Sequence, residues 1–275
     1  MGIKYRVNED FFENWSRQSA YVAGFIFADG HLENAPYIRG KYLRITSTDL
    51  SILMQIKQAL GSTHNFAITP ASGNRKEKYL LRIGSHKIYD DLERIGVHPR
   101  KAHNMNLPRI QHEYLPDFIR GYFDGDGSII VEDVKSRPHN RLKVIFTSGS
   151  KDFLLSLSDH LKHCCVGGGA RVCNSHRSYQ LLYRSIDALN VLKLIYSTID
   201  QNGSLYLDRK YRKYKQLVTA PNEIRCGNLF DRSSRVWSYR TKAATYPSGL
   251  REESAKLRFS GSNPLVASNF AEEAH

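Results

Sequence analysis

A chain of 275 residues with 41% hydrophobic and 24% charged residues has material for two small cored domains, and its balance excludes bulk disorder. Its 40 Lys and Arg against 27 Asp and Glu leave a formal charge of +13 spread along the sequence, which points to a polyanionic partner, nucleic acid before acidic membrane. No apolar run approaches the roughly 20 residues that span a bilayer, and Met1 to Asp10 lacks the apolar core of a secretion signal, so an intracellular protein with no membrane association is expected.

Without secretion, Cys164, Cys165, Cys173 and Cys226 are expected as reduced thiols. His160, His163 and His176 lie near the first three, but the adjacent Cys164 and Cys165 are poorly placed to share one tetrahedral ion, so small half-buried side chains are favoured over a zinc site.

In chain order, a helix is predicted from Ser16 or Ser19 through Ala20, Val22, Ala23, Phe25 and Ile26, apolar on nearly every face and therefore interior. It stops at Asp29-Gly30, and a loop containing Asn34, Pro36 and Gly40 is expected next. Tyr42 to Thr48 alternates as a strand, Leu43 and Ile45 on one face, Arg44 and Thr46 on the other. Thr48 or Asp49 caps a helix bearing Ile52, Leu53, Ile56 and Leu60, which Gly61 ends. Asn65 to Thr69 and Lys78 to Ile83 read as a strand pair, and Ser85 caps a helix with Ile88, Leu92 and Ile95 that Gly96 closes.

The second half repeats this order. Pro116 suits the first turn of a helix running to Asp126-Gly127, and Arg141 to Thr147 corresponds to the earlier strand, with Phe146-Thr-Ser148 matching Ile45-Thr-Ser47. Ser150 caps a helix bearing Phe153, Leu154, Leu157 and Leu161. Strands at Ala170 to Cys173 and Tyr179 to Tyr183 follow, and Ser185 is expected to cap a helix with Leu189, Leu192 and Ile195. Beyond the repeat, Leu205 to Lys215 is a basic, tyrosine-rich helix favoured as a phosphate contact over a plain surface helix, and from Pro221 apolar periodicity fades. The expected domains are 1–107 and 108–220, with 221–275 as a poorly ordered tail.

The centre of the repeat is Val22-Ala-Gly-Phe-Ile-Phe-Ala-Asp-Gly30, whose second copy, Ile119-Arg-Gly-Tyr-Phe-Asp-Gly-Asp-Gly127, starts 97 residues later. Gly24 and Ala28 in one copy, and Gly121 and Gly125 in the other, are small residues one helical turn apart that let two helices pack closely. Such packing brings Asp29 and Asp126 side by side at two helix C-termini, where carboxylates and backbone carbonyls make a cluster of hard oxygen ligands suited to Mg²⁺. Metal held between carboxylates can activate water for phosphodiester hydrolysis. Asp124 has Phe27 as its counterpart and reads as a helix-end residue outside the acid pair.

These two stretches resemble the motif of the LAGLIDADG homing endonucleases in their single-chain, two-motif form, over about residues 16–218. The resemblance implies an α+β fold of two pseudo-twofold-related αββαββα domains with saddle-shaped antiparallel sheets lying in the DNA major groove. It implies metal-dependent double-strand cleavage of a long asymmetric target by a monomer, promoting mobility of an intron or of the gene itself. Mg²⁺ is the implied cofactor, with Mn²⁺ as a substitute, and double-stranded DNA the partner, with intron RNA as a further possibility. The metal-binding acids fall on Asp29 and Asp126, supplemented by the Ala28 and Gly125 carbonyls. The catalytic basic residues fall on Lys101 and Lys210, with Arg100 and Arg209 as rivals. Arg44, Thr46, Lys78, Arg82, Arg141, Lys143, Arg184 and Arg209 are the expected DNA contacts. The chain lacks the Cys or Ser start and the terminal Asn of a complete intein, so a free-standing or intron-encoded enzyme is expected. The alternative is a binding protein on the same scaffold, a splicing maturase or a regulator; retention of both acids favours the nuclease.

Overall fold

Ser16 opens α1 (Arg17–Asp29) with a reciprocal cap, its hydroxyl accepting from the Ser19 amide while the Ser19 hydroxyl accepts from the Ser16 amide. Every residue from Ser19 to Phe27 is buried, which is why the helix carries no polar stripe. The computed structural model describes residues 5–98, 105–132, 141–164, 170–199 and 203–219, all within one compact unit.

After α1 come β1 (Gly30–Ala35), a 3-10 turn (Pro36–Ile38), β2 (Gly40–Ser47), α2 (Leu50–Ala59), β3 (Phe66–Thr69), β4 (Lys78–Gly84) and α3 (His86–Arg94). The strands form an antiparallel sheet in the order β1-β2-β4-β3. The second half has α4 (Leu115–Asp126), β5 (Gly127–Glu132), β6 (Arg141–Ser148), α5 (Lys151–His163), β7 (Arg171–Ser175), β8 (Ser178–Arg184) and α6 (Ser185–Tyr196), with the matching order β5-β6-β8-β7. The fold is therefore α+β with two αββαββα halves, and α7 (Asp208–Thr219) follows. The repeat holds at the level of register, since Gly30 pairs with Ile45 and Gly127 with Phe146.

Along each sheet, residues alternate between a core face and a solvent face. Leu43, Ile45, Leu81 and Ile83 are buried in the first sheet, and Val144, Phe146, Leu181 and Tyr183 in the second. The core runs without a break from Phe12 to Leu207 and includes residues of both halves. No described helix is long and apolar enough to cross a membrane.

Three local expectations change. The loop expected after Gly30 is strand β1, paired with β2 from Gly30↔Ile45 to Ala35↔Gly40. Leu32 is its only large apolar residue, so its period-two signal is faint and the partner strand supplies the order. Gly30 and Gly127 are not left-handed helix stops, having φ of −83° and −93°. They are glycines because each chain turns back on its own helix: a Cβ on Gly30 would come within 2.7 Å of the Ile26 carbonyl oxygen, and one on Gly127 within 2.5 Å of the Phe123 carbonyl oxygen. Ser185 is the first residue of α6, at φ 50°, and not its cap. Strand β8 runs straight into that helix, leaving Arg184 at the cap position with no side-chain bond. Ser85 and Ser150 do cap α3 and α5, accepting from Ile88 N and Phe153 N at 3.2 Å each.

Helices α1 and α4 pack against each other at their glycines. A Cβ on Gly24 would overlap the Phe118 carbonyl oxygen and lie 2.9 Å from Tyr122 N; one on Gly121 would overlap the Tyr21 carbonyl oxygen and lie 2.9 Å from Phe25 N. Adding 97 to 21, 24 and 25 gives 118, 121 and 122, so the contact is its own mirror under the repeat. Because backbone, not flexible side chain, opposes the added carbon, Gly24→Ala and Gly121→Ala should each destabilise the fold by about 3 kcal/mol, the upper end for overpacking, measured by urea unfolding.

Candidate active site

The two helices that meet at Gly24 and Gly121 end together at Asp29 and Asp126. Ala28 lies against Gly125, where an added Cβ would overlap the Ala28 Cβ and sit 3.4 Å from Asp29 Oδ2. The Asp29 carboxylate thus lies beside the last turn of the other motif helix. Asp29 is exposed and Asp126 half-buried, whereas Phe27 and Asp124, two residues earlier, are buried. Buried Tyr122, whose hydroxyl donates to Thr147 O at 2.7 Å, has its pKa pushed well up, by burial first and then by Asp126 and Asp29. Both carboxylates therefore share one electrostatic neighbourhood. The donors at the two helix ends are carboxylates and backbone carbonyls, hard oxygens whose chemistry suits a hard divalent cation better than a thiol-seeking metal.

The end of α4 rests on a buried cation. Lys210, on the first turn of α7, is 5% exposed and donates its ammonium hydrogens to the carbonyls of Phe123, Asp124 and Gly127 at 2.5, 2.9 and 2.6 Å. Burial lowers its pKa to about 8, against the opposing pull of Asp124 and, more weakly, of Asp29 and Asp126. Asp124 accepts from the Tyr21 hydroxyl of α1 at 2.7 Å and from Leu207 N, just before α7, at 2.8 Å. Its own pKa is raised to about 6 by burial, with Lys210, Tyr21 and Leu207 holding it back. Asp124 is thus a joint between both motif helices and the segment leading into α7, a role its pairing with Phe27 in the repeat does not reveal. At the end of α1 the equivalent residue, Phe27, packs edge-on to Phe118 with centroids 5.2 Å apart.

A second polar joint secures the same segment. Arg120, 1% exposed, donates to Leu205 O at 3.0 Å, Ile195 O at 2.9 Å, Thr198 Oγ1 and Asp117 Oδ1 at 2.6 Å each. Its counterpart in the first motif is Ala23 and that of Asp117 is Ala20, so this ion pair belongs to the second half alone.

Helix α7 divides its residues between support and surface. Tyr211 and Tyr214 pack on Tyr196 with centroids 5.4 and 4.8 Å apart, and Lys213 donates to Ile129 O at 2.8 Å. The expected phosphate-contacting face reduces to exposed Arg209, Arg212 and Lys215, with Arg212 ion-paired to Asp208. Arg209 joins Gly127, Ser128, Ile129, Lys210 and Lys213 in lining an open depression beside Asp126. Of the two lysines expected beside the scissile phosphate, Lys210 is buried at the helix end, its ammonium donating to three carbonyls while it lines the same depression, a placement that needs tertiary structure to see. Lys101 and its rival Arg100 lie outside the described residues.

The expected contact residues Arg44, Thr46, Lys78, Arg82, Arg141, Lys143 and Arg184 all fall on the solvent faces of the sheets. Arg44 stands directly across from Arg82, a like-charge pair relieved by Glu33, which accepts from Arg82 at 3.1 and 3.2 Å and lies 3.5 Å from Arg44. The Arg82 bonds, more than the general field, hold the Glu33 carboxyl below its ordinary range, and the Arg82 guanidinium lies 3.5 Å over the Tyr42 ring. Lys143 pairs with Glu132. Glu33 escapes sequence reasoning because β1 shows no strand pattern, and Tyr42, at the start of the expected strand, gains its role only from the Arg82 that β4 brings over it. Cys164 and Cys173 form no disulfide, the Cys164 sulfur lying 3.8 Å from His112 Nε2; Cys165 and Cys226 lie outside the described residues, and among the described residues no group of three or more His, Cys, Asp or Glu is placed to hold a metal ion.

Comparison with known proteins gives three results. Residues 113–196, from the start of α4 through α6, match the family model of the LAGLIDADG-like domain. A probable translation initiation factor IF-2 of Methanocaldococcus jannaschii is 30% identical over 146 residues, and one of Thermococcus kodakarensis is 28% identical over 151. Each match covers 50% of this chain but 11% of the relative, so the chain spans about a ninth of the length of these curated relatives. Among solved structures, the I-LtrWI LAGLIDADG homing endonuclease bound to target DNA superposes with a TM-score of 0.51 at 11% identity, over 78% of this chain and 91% of that one. That likeness is one of fold.

The buried post generates a prediction of its own. Lys210→Met leaves Asp124 uncompensated and three carbonyls without their donor, and should destabilise the fold by about 3–5 kcal/mol. Asp124→Asn, which keeps its size and can still accept a hydrogen bond, should cost less. The double variant should fall short of the sum of the two, because the residues act through one contact set; chemical denaturation of the three variants checks this.

Proposed function

From the match of residues 113–196 to the LAGLIDADG-like domain model and the fold shared with a LAGLIDADG homing endonuclease, we propose that the chain is a LAGLIDADG site-specific DNA endonuclease that cuts both strands of a long asymmetric target in the presence of Mg²⁺ or Mn²⁺. The observation that supports cutting over binding alone is the acid pair. Asp29 and Asp126 are the last residues of two helices packed glycine to backbone, with Ala28 against Gly125 between them. A protein that only bound nucleic acid would have no chemical need for two carboxylates forced together at a joint macrodipole minus end.

In this reading Asp29 and Asp126 hold divalent metal, assisted by the carbonyls of Ala28 and Gly125. When bound, such an ion supplies an activated water and charge stabilisation at the leaving oxygen. The protein's own groups fix the geometry. Glycines set the helix spacing, Lys210 and Asp124 anchor the α4 end, and Tyr122 keeps its proton and pins β6 behind the two acids. Arg209, exposed at the depression that Gly127 lines, is the best-placed described cation to meet a phosphate, and Lys101 or Arg100 serves the other half. The solvent faces of the two sheets present Arg44, Thr46, Lys78 and Arg82 on one side and Arg141, Lys143 and Arg184 on the other, a cationic lining for the major groove. Since one chain supplies both halves, it works as a monomer. Mobility of an intron or of its own gene is the use that such a cut serves.

Cleaved sites can be selected from a genomic or random DNA library in Mg²⁺. Asp29→Asn and Asp126→Asn should then each reduce double-strand cleavage of the selected site to background while binding, measured by mobility shift, stays within a few fold. A variant that still cuts both strands at the native rate would remove the metal assignment, and site binding with no cleavage by the native chain would favour an idle binding protein.

A further inference from the structure

The strand registers allow the two solvent faces to be compared row by row. In the first sheet, the row one residue past the motif glycine is His31, Arg44 and Arg82, joined by the pairs His31↔Arg44 and Arg44↔Arg82. In the second sheet the row at the same distance from its glycine is Ser128, Ile145, Leu182 and Arg171, joined by Ser128↔Ile145, Ile145↔Leu182 and Leu182↔Arg171. Where one half carries two arginines, the other carries two aliphatic side chains. Ile130, 37% exposed, stands in the next row, beside Lys143.

Core packing does not call for these aliphatic residues. The buried face of the same strands is already complete with Val144, Phe146, Leu181 and Tyr183, and Ile145 and Leu182 point the other way. Their surroundings are cationic on balance: Lys143, ion-paired to Glu132, and Arg184 form the neighbouring row, and Arg171 ends their own. An apolar strip in a basic frame matches a partner that is polyanionic at its edges and locally apolar at its centre. In a DNA major groove the one such group is the 5-methyl of thymine, whereas guanine presents acceptors that suit arginine.

Resting on the endonuclease reading, we propose that Ile145 and Leu182 are specificity-determining residues that read thymine methyl groups, making the half-site under the second sheet thymine-selective close to the cut. The equivalent positions of the other half-site face Arg44 and Arg82, so the target is asymmetric in base composition as well as in sequence.

The test uses the full-length chain and a target selected from a randomised duplex library. Thymine should be enriched at inner positions of one half-site. Replacing those thymines singly by deoxyuridine, which removes only the methyl, should weaken binding about fourfold per position, the effect of one buried methyl. The Ile145→Ser and Leu182→Ser variants, checked for native circular dichroism, should lose that difference between thymine and uracil at their own position while still binding. Equal binding of thymine and deoxyuridine targets, or a selected site without thymine enrichment in either half, would overturn the proposal while leaving site-specific DNA binding intact. Concentration-dependent self-association abolished by Leu182→Lys, with no methyl effect, would assign the strip to a second copy of the chain and also overturn it. Failure to select any DNA would overturn the endonuclease reading and this one together.

Discussion

The geometry of the candidate site depends on how closely α1 and α4 approach. Gly24 is covered by the backbone of α4 and Gly121 by the backbone of α1, with no side chain between the helices at either point. One turn later Ala28 meets Gly125, and at the next residue each helix ends in an acid. Two carboxylates at adjoining negative helix ends repel each other, and their proximity is sustained by the packing energy of a buried interface.

The symmetry of that contact does not extend to its supports. The end of α1 is backed by aromatic rings, Phe27 on Phe118 and Phe153, whereas the end of α4 is backed by an ammonium group and a buried carboxylate. The difference ties α4 to a segment outside the repeat. Leu205, Leu207 and Lys210 are all bonded to α4, through Arg120, Asp124 and the helix-end carbonyls respectively. Burying such charges is costly unless their hydrogen-bonding groups are satisfied; here a planar guanidinium and an ammonium each find several acceptors, while Asp117 Oδ2 and Asp124 Oδ1 accept no hydrogen bond. The result is one helix end held by apolar contact and another held by directional bonds.

The same divergence marks the sheets. Both halves keep strand order and register, because a one-residue slip would turn each core face to solvent. The solvent faces carry no such constraint, and there the halves differ: a Glu33-bridged arginine pair stacked on Tyr42 in one, an aliphatic strip framed by cations in the other. Core residues conserve the architecture of the repeat, and surface residues give each half its own chemistry.

How much of this was legible in the residues follows from range. The repeated helix, its small residues, its terminal acids, most strands and the caps at Ser85 and Ser150 depend on neighbours within a few positions, and local patterning shows them. Strand β1 was missed because Gly30 to Ala35 carries one large apolar residue and is ordered by β2. The motif glycines were recognised but for a different reason than the structure gives, since they make room for Ile26 and Phe123 and do not adopt left-handed backbone. Asp124 and Lys210 were found as residues, yet their partners lie 83 to 103 positions away in sequence. The sequence by itself determined the repeat and its acid pair, because both are written in short-range periodicity. Only the tertiary structure decided which charged groups face solvent and which hold the helix ends in place, because that depends on what the rest of the chain brings against them.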